Sequence, residues 1–320
     1  MNSIEWFKNA KFGLMFHFGL YTQYLGVYKG KHVNEWARQQ AQIGSEEYHN
    51  LCNTFYPYNF DADEWVSLAK DAGAKYIVVT AKHHDGFALY DSKVSDFNIV
   101  KATPFGRDMI KELSDSCKKY GIKLGIYYSH DMDWDEEGGG GFIENKYCNP
   151  ANNVWDFEGP FNMEKFQAYL DNKAMPQVKE ILENYEDLCQ IWFDNPWTVT
   201  KEQSHAFYDL VKSIQPNCLV SERVGNDKFD IKGGGDNCLD METNELMPNE
   251  VPATINKKGD WDFVPNDTYM DADEIHQILK DANKRGISLL LNIGPKPDGT
   301  LPEEAKTSLR KLGEMLNDNI

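Results

Sequence analysis

Short β-branched or aromatic runs recur along this chain, each followed by a stretch with apolar residues at helical spacing. That alternation limits the fold more than any other feature. Strands are expected at Lys11–Gly19, Lys75–Thr80, Lys123–Ser129, Leu188–Asp194, Cys218–Val224 and Ser288–Ile293. Helices are expected at Ala62–Ala72, Arg107–Lys119, Asn162–Tyr185, Lys201–Ile214, Asp271–Lys284 and Glu303–Leu316, with Pro176 marking a kink or a junction in the third. The run KYIVVT at 75–80 is β-branched and continuous, as befits a parallel strand covered on both faces. The pattern implies an α/β fold, and over 320 residues a closed (β/α)8 (TIM) barrel, possibly distorted, fits better than a doubly wound sheet. No GxGxxG follows the first strand, and the glycine runs at 138–141 and 233–235 lack the Lys-Ser/Thr ending of a phosphate loop. No low-complexity linker divides the chain, so residues 1–320 are expected to form one domain.

The net charge of −18 and the scatter of lysines and arginines among acids argue against nucleic acid or an anionic membrane as partner. No apolar run approaches the ~20 residues of a spanning helix. The N-terminal residues lack the basic and apolar regions of a signal peptide, so a cytoplasmic location is expected; a mature secreted form would read the same. Six cysteines without CxxC spacing read as free thiols rather than a disulfide framework. Oligomeric state is not encoded in any pattern found.

Polar residues collect where the strands end, which in a (β/α) barrel is the catalytic face. In order these are His17, His83-His84-Asp85, Tyr127-Tyr128, Asp194, Glu222-Arg223 and Asn292. Such a set, with tryptophans available for a pyranose face, suits a sugar pocket. Each piece has a plainer reading: His17 as a hydrogen-bonded core histidine, Asp194 as a cap for the next turn, His83-His84 as part of a metal site. No HxH or HExxH accompanies the last, which weighs against a metal site there.

Together the motifs resemble glycoside hydrolase family 29, the α-L-fucosidases. The family's FGxFxHWGxYS is matched by residues 12–22, FGLMFHFGLYT, and its AGAKYxVxTxKHHDGFxLxxS by Ala72–Ser92. Arg107-Asp108, Gly125–Ser129, Ile191–Asp194 and the closing Leu289–Glu304 also match, so the resemblance covers residues 5–316. The family's frequent C-terminal β-sandwich is not expected in this chain. The resemblance implies retaining hydrolysis of terminal α-L-fucose on glycans or oligosaccharides with no metal or organic cofactor, through a covalent fucosyl-enzyme and two carboxylates. Asp194 takes the nucleophile's place. His17, Glu35, Trp36, His83, His84, Tyr128, Trp192, Arg223 and Trp261 take the places of fucose-binding residues. The acid/base falls on Glu250, in NEVPATIN (249–256), with Glu222, Glu242 and Glu245 as rivals. Phe18, Asn195 and Asn249 depart from the family pattern. A fucose-binding, lectin-like barrel with weakened catalysis is the alternative function; a metal-dependent hydrolase built on His83 and His84 is the other.

Overall fold

A computed structural model describes residues 2–142, 153–157, 159, 161–185 and 187–318; Cys148 lies outside them. Eight parallel strands occur in chain order: β1 (Phe12–Phe16), β2 (Tyr76–Lys82), β3 (Lys123–Tyr128), β4 (Gln190–Phe193), β5 (Leu219–Val220), β6 (Lys232–Gly233), β7 (Asn249–Thr254) and β8 (Ile287–Ile293). Apart from β5 with β6, each pairs with its sequence neighbours, and β8 returns to β1 through Phe12–Leu289 to Phe16–Ile293. The remaining gap, between β5 and β6, is spanned by a parallel bridge from Ser221 to Ile231. The sheet is therefore a closed barrel of the (β/α)8 type.

Two apolar layers build it. Inside, Met15, Tyr76, Val78, Tyr127, Trp192, Leu219, Ile231 and Leu290 fill the barrel, and Phe7 and Ala10 of the N-terminal helix (Ser3–Ala10) join this cluster. Outside, alternate strand residues such as Ile77, Val79, Ile126 and Tyr128 pack against the helices. The period-two alternation of a strand decides which layer a residue joins. Gly13 is required at its place on β1, because a Cβ there would lie 2.4 Å from the Tyr76 ring.

The expected helices form, bounded by local chemistry. Asp61 and Asp108 cap Ala62–Asp71 and Met109–Tyr120, while Thr200 and Asp271 form capping boxes ahead of Lys201–Ile214 and Ala272–Lys284. Residues 163–184 run as two α-helical pieces joined by a π-turn, Leu170–Ala174, immediately before Pro176. The proline has no N–H to continue the regular ladder, and the wider turn absorbs the break.

Two strands escaped the sequence pattern. β6 has only two residues, and β7 reads NEVPAT, where Asn, Glu and Pro mask the apolar signal. Neither β5 nor β6 is followed by a regular helix, only by the short turn Glu222–Val224 and by loop. The described cysteines are free, four of them buried and Cys238 exposed.

Candidate active site

A pocket of about 170 Å³ opens at the C-terminal ends of the strands. Most strands place a residue in it or beside it. His17 follows β1, His83 follows β2, Tyr127 ends β3, Trp192 and Asp194 end β4, Arg223 follows β5, Asp236 follows β6 and Trp261 follows β7. Glu35 and Trp36, from the loop after β1, complete one wall.

Asp194 is nearly buried, with 8% of its surface exposed. Its Oδ1 accepts from Arg223 Nη1 at 2.9 Å, and its Oδ2 from the Tyr127 hydroxyl at 2.9 Å and from Asn195 Nδ2 at 3.2 Å. This many donors fix the orientation of the carboxylate. Asn195 adopts a left-handed backbone (φ 47°), which explains why a position the family usually gives to glycine accepts asparagine.

The same guanidinium reaches a second acid. Arg223 Nη2 donates to Asp236 Oδ1 and to the Gly234 carbonyl (3.2 Å), and its plane lies 4.6 Å from the Trp192 ring. Burial disfavours the charge of Arg223, but Asp194 and Asp236 outweigh it and push its pKa up. Asp194, nearly enclosed, and Asp236, with 45% of its side chain exposed, thus flank one fixed cation.

The histidines are neutral. Burial lowers the His17 pKa to about 4, and holds His83 and His84 well below the usual range. Asn292 Nδ2 donates to the Trp261 carbonyl (2.7 Å), so its Oδ1 accepts from His17 Nδ1 (2.8 Å) and leaves His17 Nε2 as an acceptor. His83 stacks on Tyr127 and its Nδ1 has no partner among the described residues. Glu35 is buried with one unpartnered oxygen; burial, then the charge of Asp260, raises its pKa to about 8. At neutral pH it is a carboxylic acid able to donate a hydrogen bond.

Three expected site residues sit elsewhere. Tyr128 points outward and donates to Gln177 Oε1 (2.8 Å); its neighbour Tyr127 faces the pocket, because consecutive strand residues face opposite sides. His84 lies behind Asp194 rather than in the pocket: Ser129 Oγ holds its Nδ1 (2.6 Å) and Asn195 Nδ2 donates to its Nε2 (3.2 Å). Glu250 belongs to β7 and lies inside the barrel, 2% exposed. Its Oε1 accepts from Tyr76 (2.6 Å) and Gln190 (3.1 Å), and its Oε2 from Trp192 Nε1 (3.0 Å). With both oxygens committed it supports the Trp192 wall and cannot serve as acid/base. Nor do its rivals line the pocket: Glu222 accepts from Gly233 N (2.8 Å), Glu242 is 91% exposed and Glu245 is exposed. Asp236 is not among the expected site residues; it ends the GGGD run (233–236), whose only sequence signal is the lack of a phosphate-loop ending. Among the described residues no group of three or more His, Cys, Asp or Glu side chains is placed to hold a metal ion. No described helix is long and apolar enough to cross a membrane.

Comparison with known proteins places the chain in a family. The family model for alpha-L-fucosidase matches residues 1–320. The chain belongs to the alpha-L-fucosidase family, glycoside hydrolase family 29. The alpha-L-fucosidase of Dictyostelium discoideum is 29% identical over 98% of this chain and 70% of its own length. The alpha-L-fucosidase AlfC from Lactobacillus casei, solved in complex with its alpha-L-fucose product, is 40% identical, with a TM-score of 0.92 over 99% of this chain and 98% of that one. A variant of AlfC solved with Fucα(1,6)GlcNAc superposes with a TM-score of 0.91 over 99% and 98%. This member of the alpha-L-fucosidase family is a glycoside hydrolase acting on fucosylated substrates.

Proposed function

We propose that this protein hydrolyses terminal α-L-fucose with retention of configuration, Asp194 acting as nucleophile and Asp236 as acid/base, in a catalytic unit formed by residues 1–320. The observation that carries the reading is the single Arg223 guanidinium bonded to both carboxylates, one enclosed and one at the mouth. Asp194 attacks the anomeric carbon as its bond to the glycosidic oxygen breaks, and Asp236 gives that oxygen its proton. The products of this step are a β-linked fucosyl ester on Asp194 and the free aglycone. Asp236, now a base, takes a proton from water, whose oxygen displaces Asp194 and restores the α configuration.

The pocket suits fucose specifically. Neutral His17 and His83, protonated Glu35 and Trp36 offer mixed donors and acceptors to the hydroxyls, while Trp192 and Trp261 give the C6 methyl an apolar surface. A volume of about 170 Å³ admits one monosaccharide. The AlfC variant bound to Fucα(1,6)GlcNAc makes α1,6-linked fucosyl N-acetylglucosamine the substrate to try first.

The test is azide rescue on a nitrophenyl fucoside. Asp194→Ala should lose nearly all turnover and form β-L-fucosyl azide. Asp236→Ala should keep more turnover on the nitrophenyl leaving group than on Fucα(1,6)GlcNAc, by roughly 10²–10⁴-fold, and form the α-azide. Release of β-L-fucose as first product by the unaltered enzyme contradicts retention.

A further inference from the structure

We propose that Asn195 is a catalytic residue of the second step, its side-chain amide making Asp194 a better leaving group from fucose. This rests on Asp194 as the nucleophile. The need for such a donor starts at His84, which stands beside the same carboxylate oxygen with no proton to offer it. Ser129 Oγ gives its one hydrogen to the Met132 carbonyl at 2.7 Å. In the 2.6 Å contact between Ser129 Oγ and His84 Nδ1 the histidine is therefore the donor. Burial keeps the ring neutral, so with its proton on Nδ1 the other nitrogen, Nε2, is a lone pair. That lone pair lies 3.6 Å from Asp194 Oδ2, acceptor against acceptor. Tyr127 cannot serve both: its hydroxyl is 2.9 Å from Oδ2 and 3.5 Å from Nε2, and its single proton goes to the nearer.

Asn195 resolves this opposition. Its Nδ2 lies 3.2 Å from His84 Nε2 and 3.2 Å from Asp194 Oδ2, and an amide nitrogen carries two hydrogens, one for each. The reversed amide would set Oδ1 against two acceptors, so one orientation is favoured. His84, itself anchored by Ser129, thus holds the amide with its second N–H aimed at the nucleophile. Glycine, the family's usual residue at this position, brings no such donor.

The two steps feel this donor differently. A hydrogen bond to an ionised acceptor is roughly twice as strong as one to a neutral group. As nucleophile Asp194 begins as a carboxylate and ends the first step as a neutral ester, so the bond from Asn195 weakens as the ester forms. In the second step the oxygen of water bonds to the anomeric carbon and its proton passes to Asp236. The electron pair of the breaking carbon–oxygen bond returns to Asp194, where negative charge develops. A donor already fixed at that charge lowers the second barrier and does nothing to lower the first.

The test times both steps with 2-deoxy-2-fluoro-L-fucosyl fluoride. The rate of inactivation reports ester formation. The rate at which turnover of nitrophenyl fucoside returns, once excess reagent is removed, reports ester hydrolysis. Asn195→Gly, which adopts the left-handed backbone without strain, should lower the ratio of recovery to inactivation roughly three- to tenfold. Asn195→Ala removes the same amide and should lower it equally. An unchanged or raised ratio in either variant overturns the proposal; simple misplacement of Asp194 slows both steps together and gives that result. Peptide mass spectrometry on the trapped Asn195→Gly ester separates this inference from the reading beneath it. A label on any residue but Asp194 removes the nucleophile assignment, whatever the ratio.

Discussion

Replacing Glu250 by glutamine distinguishes a supporting carboxylate from a catalytic one. Burial raises its pKa from 4.5 to about 6, against the hydrogen bonds from Tyr76, Gln190 and Trp192. The folded protein therefore binds this proton more tightly than the unfolded chain does. Stability contributed here is greatest below pH 4.5, falls as the pH rises to about 6 and is level above. At pH 7 the lost stability approaches 1.5 × 1.36, or about 2 kcal/mol. Glutamine avoids that cost but can accept from only part of the donor set, leaving one buried N–H short at ~1–3 kcal/mol. The two nearly cancel, so Glu250→Gln should unfold in urea within ~1 kcal/mol of the unaltered protein at pH 7. Its stability should no longer fall between pH 4.5 and 6. Turnover of Fucα(1,6)GlcNAc should stay within about threefold, since general-acid loss would cost ~10²–10⁴. Glu250→Ala, which strands all three donors, should lose ~3 kcal/mol or more. A folded Glu250→Gln with a hundredfold loss of turnover, recovered on the nitrophenyl substrate, refutes the assignment.

Three further outcomes follow from the same geometry. Glu35 is neutral below about pH 8 and ionises above it, so kcat/KM should decline through that pH as the donor to a sugar hydroxyl is lost; Glu35→Gln, which keeps an N–H donor, should remove this limb. Tyr127→Phe deletes the 2.9 Å bond to Asp194 Oδ2; at ~1.5–3 kcal/mol for a bond to a charged group, kcat/KM should drop roughly ten- to hundredfold with the fold intact by circular dichroism. Gly13→Ala places a Cβ 2.4 Å from the Tyr76 ring that holds Glu250, and thermal unfolding should report a loss of ~1–3 kcal/mol from overpacking.

The barrel was legible because its long strands and helices carry their own periodicity. β2 is buried throughout, and Lys201–Ile214 has the bounds that its spacing implies. The site was legible where a chemical group interrupts an apolar strand end, as at His17 and Asp194. Three features were hidden for physical reasons. Tyr127 and Tyr128 are the same residue type, and only the closed sheet decides which faces inward. Glu250 sits in NEVPAT, where Asn, Glu and Pro give no strand signal; as β7 the segment turns this acid into the floor of the barrel, with partners 58 to 174 residues away in sequence. Asp236 is an acid among glycines on a loop with no periodic pattern, and its role emerges only from Arg223, which reaches across from the end of β5. His84 is among the expected site residues, but its place behind Asp194 depends on Ser129 and Asn195, which follow two other strands.

The central claim is that Asp194 forms a covalent bond to fucose. Incubation with 2-deoxy-2-fluoro-L-fucosyl fluoride should inactivate the enzyme with a stoichiometry of one label per chain, because the fluorine slows breakdown of the ester more than its formation. Peptide mass spectrometry should then place the label on Asp194, and fucose should protect against it. Inactivation with the label on Asp236, Glu35 or Glu250, or full activity retained without any label, would contradict the account.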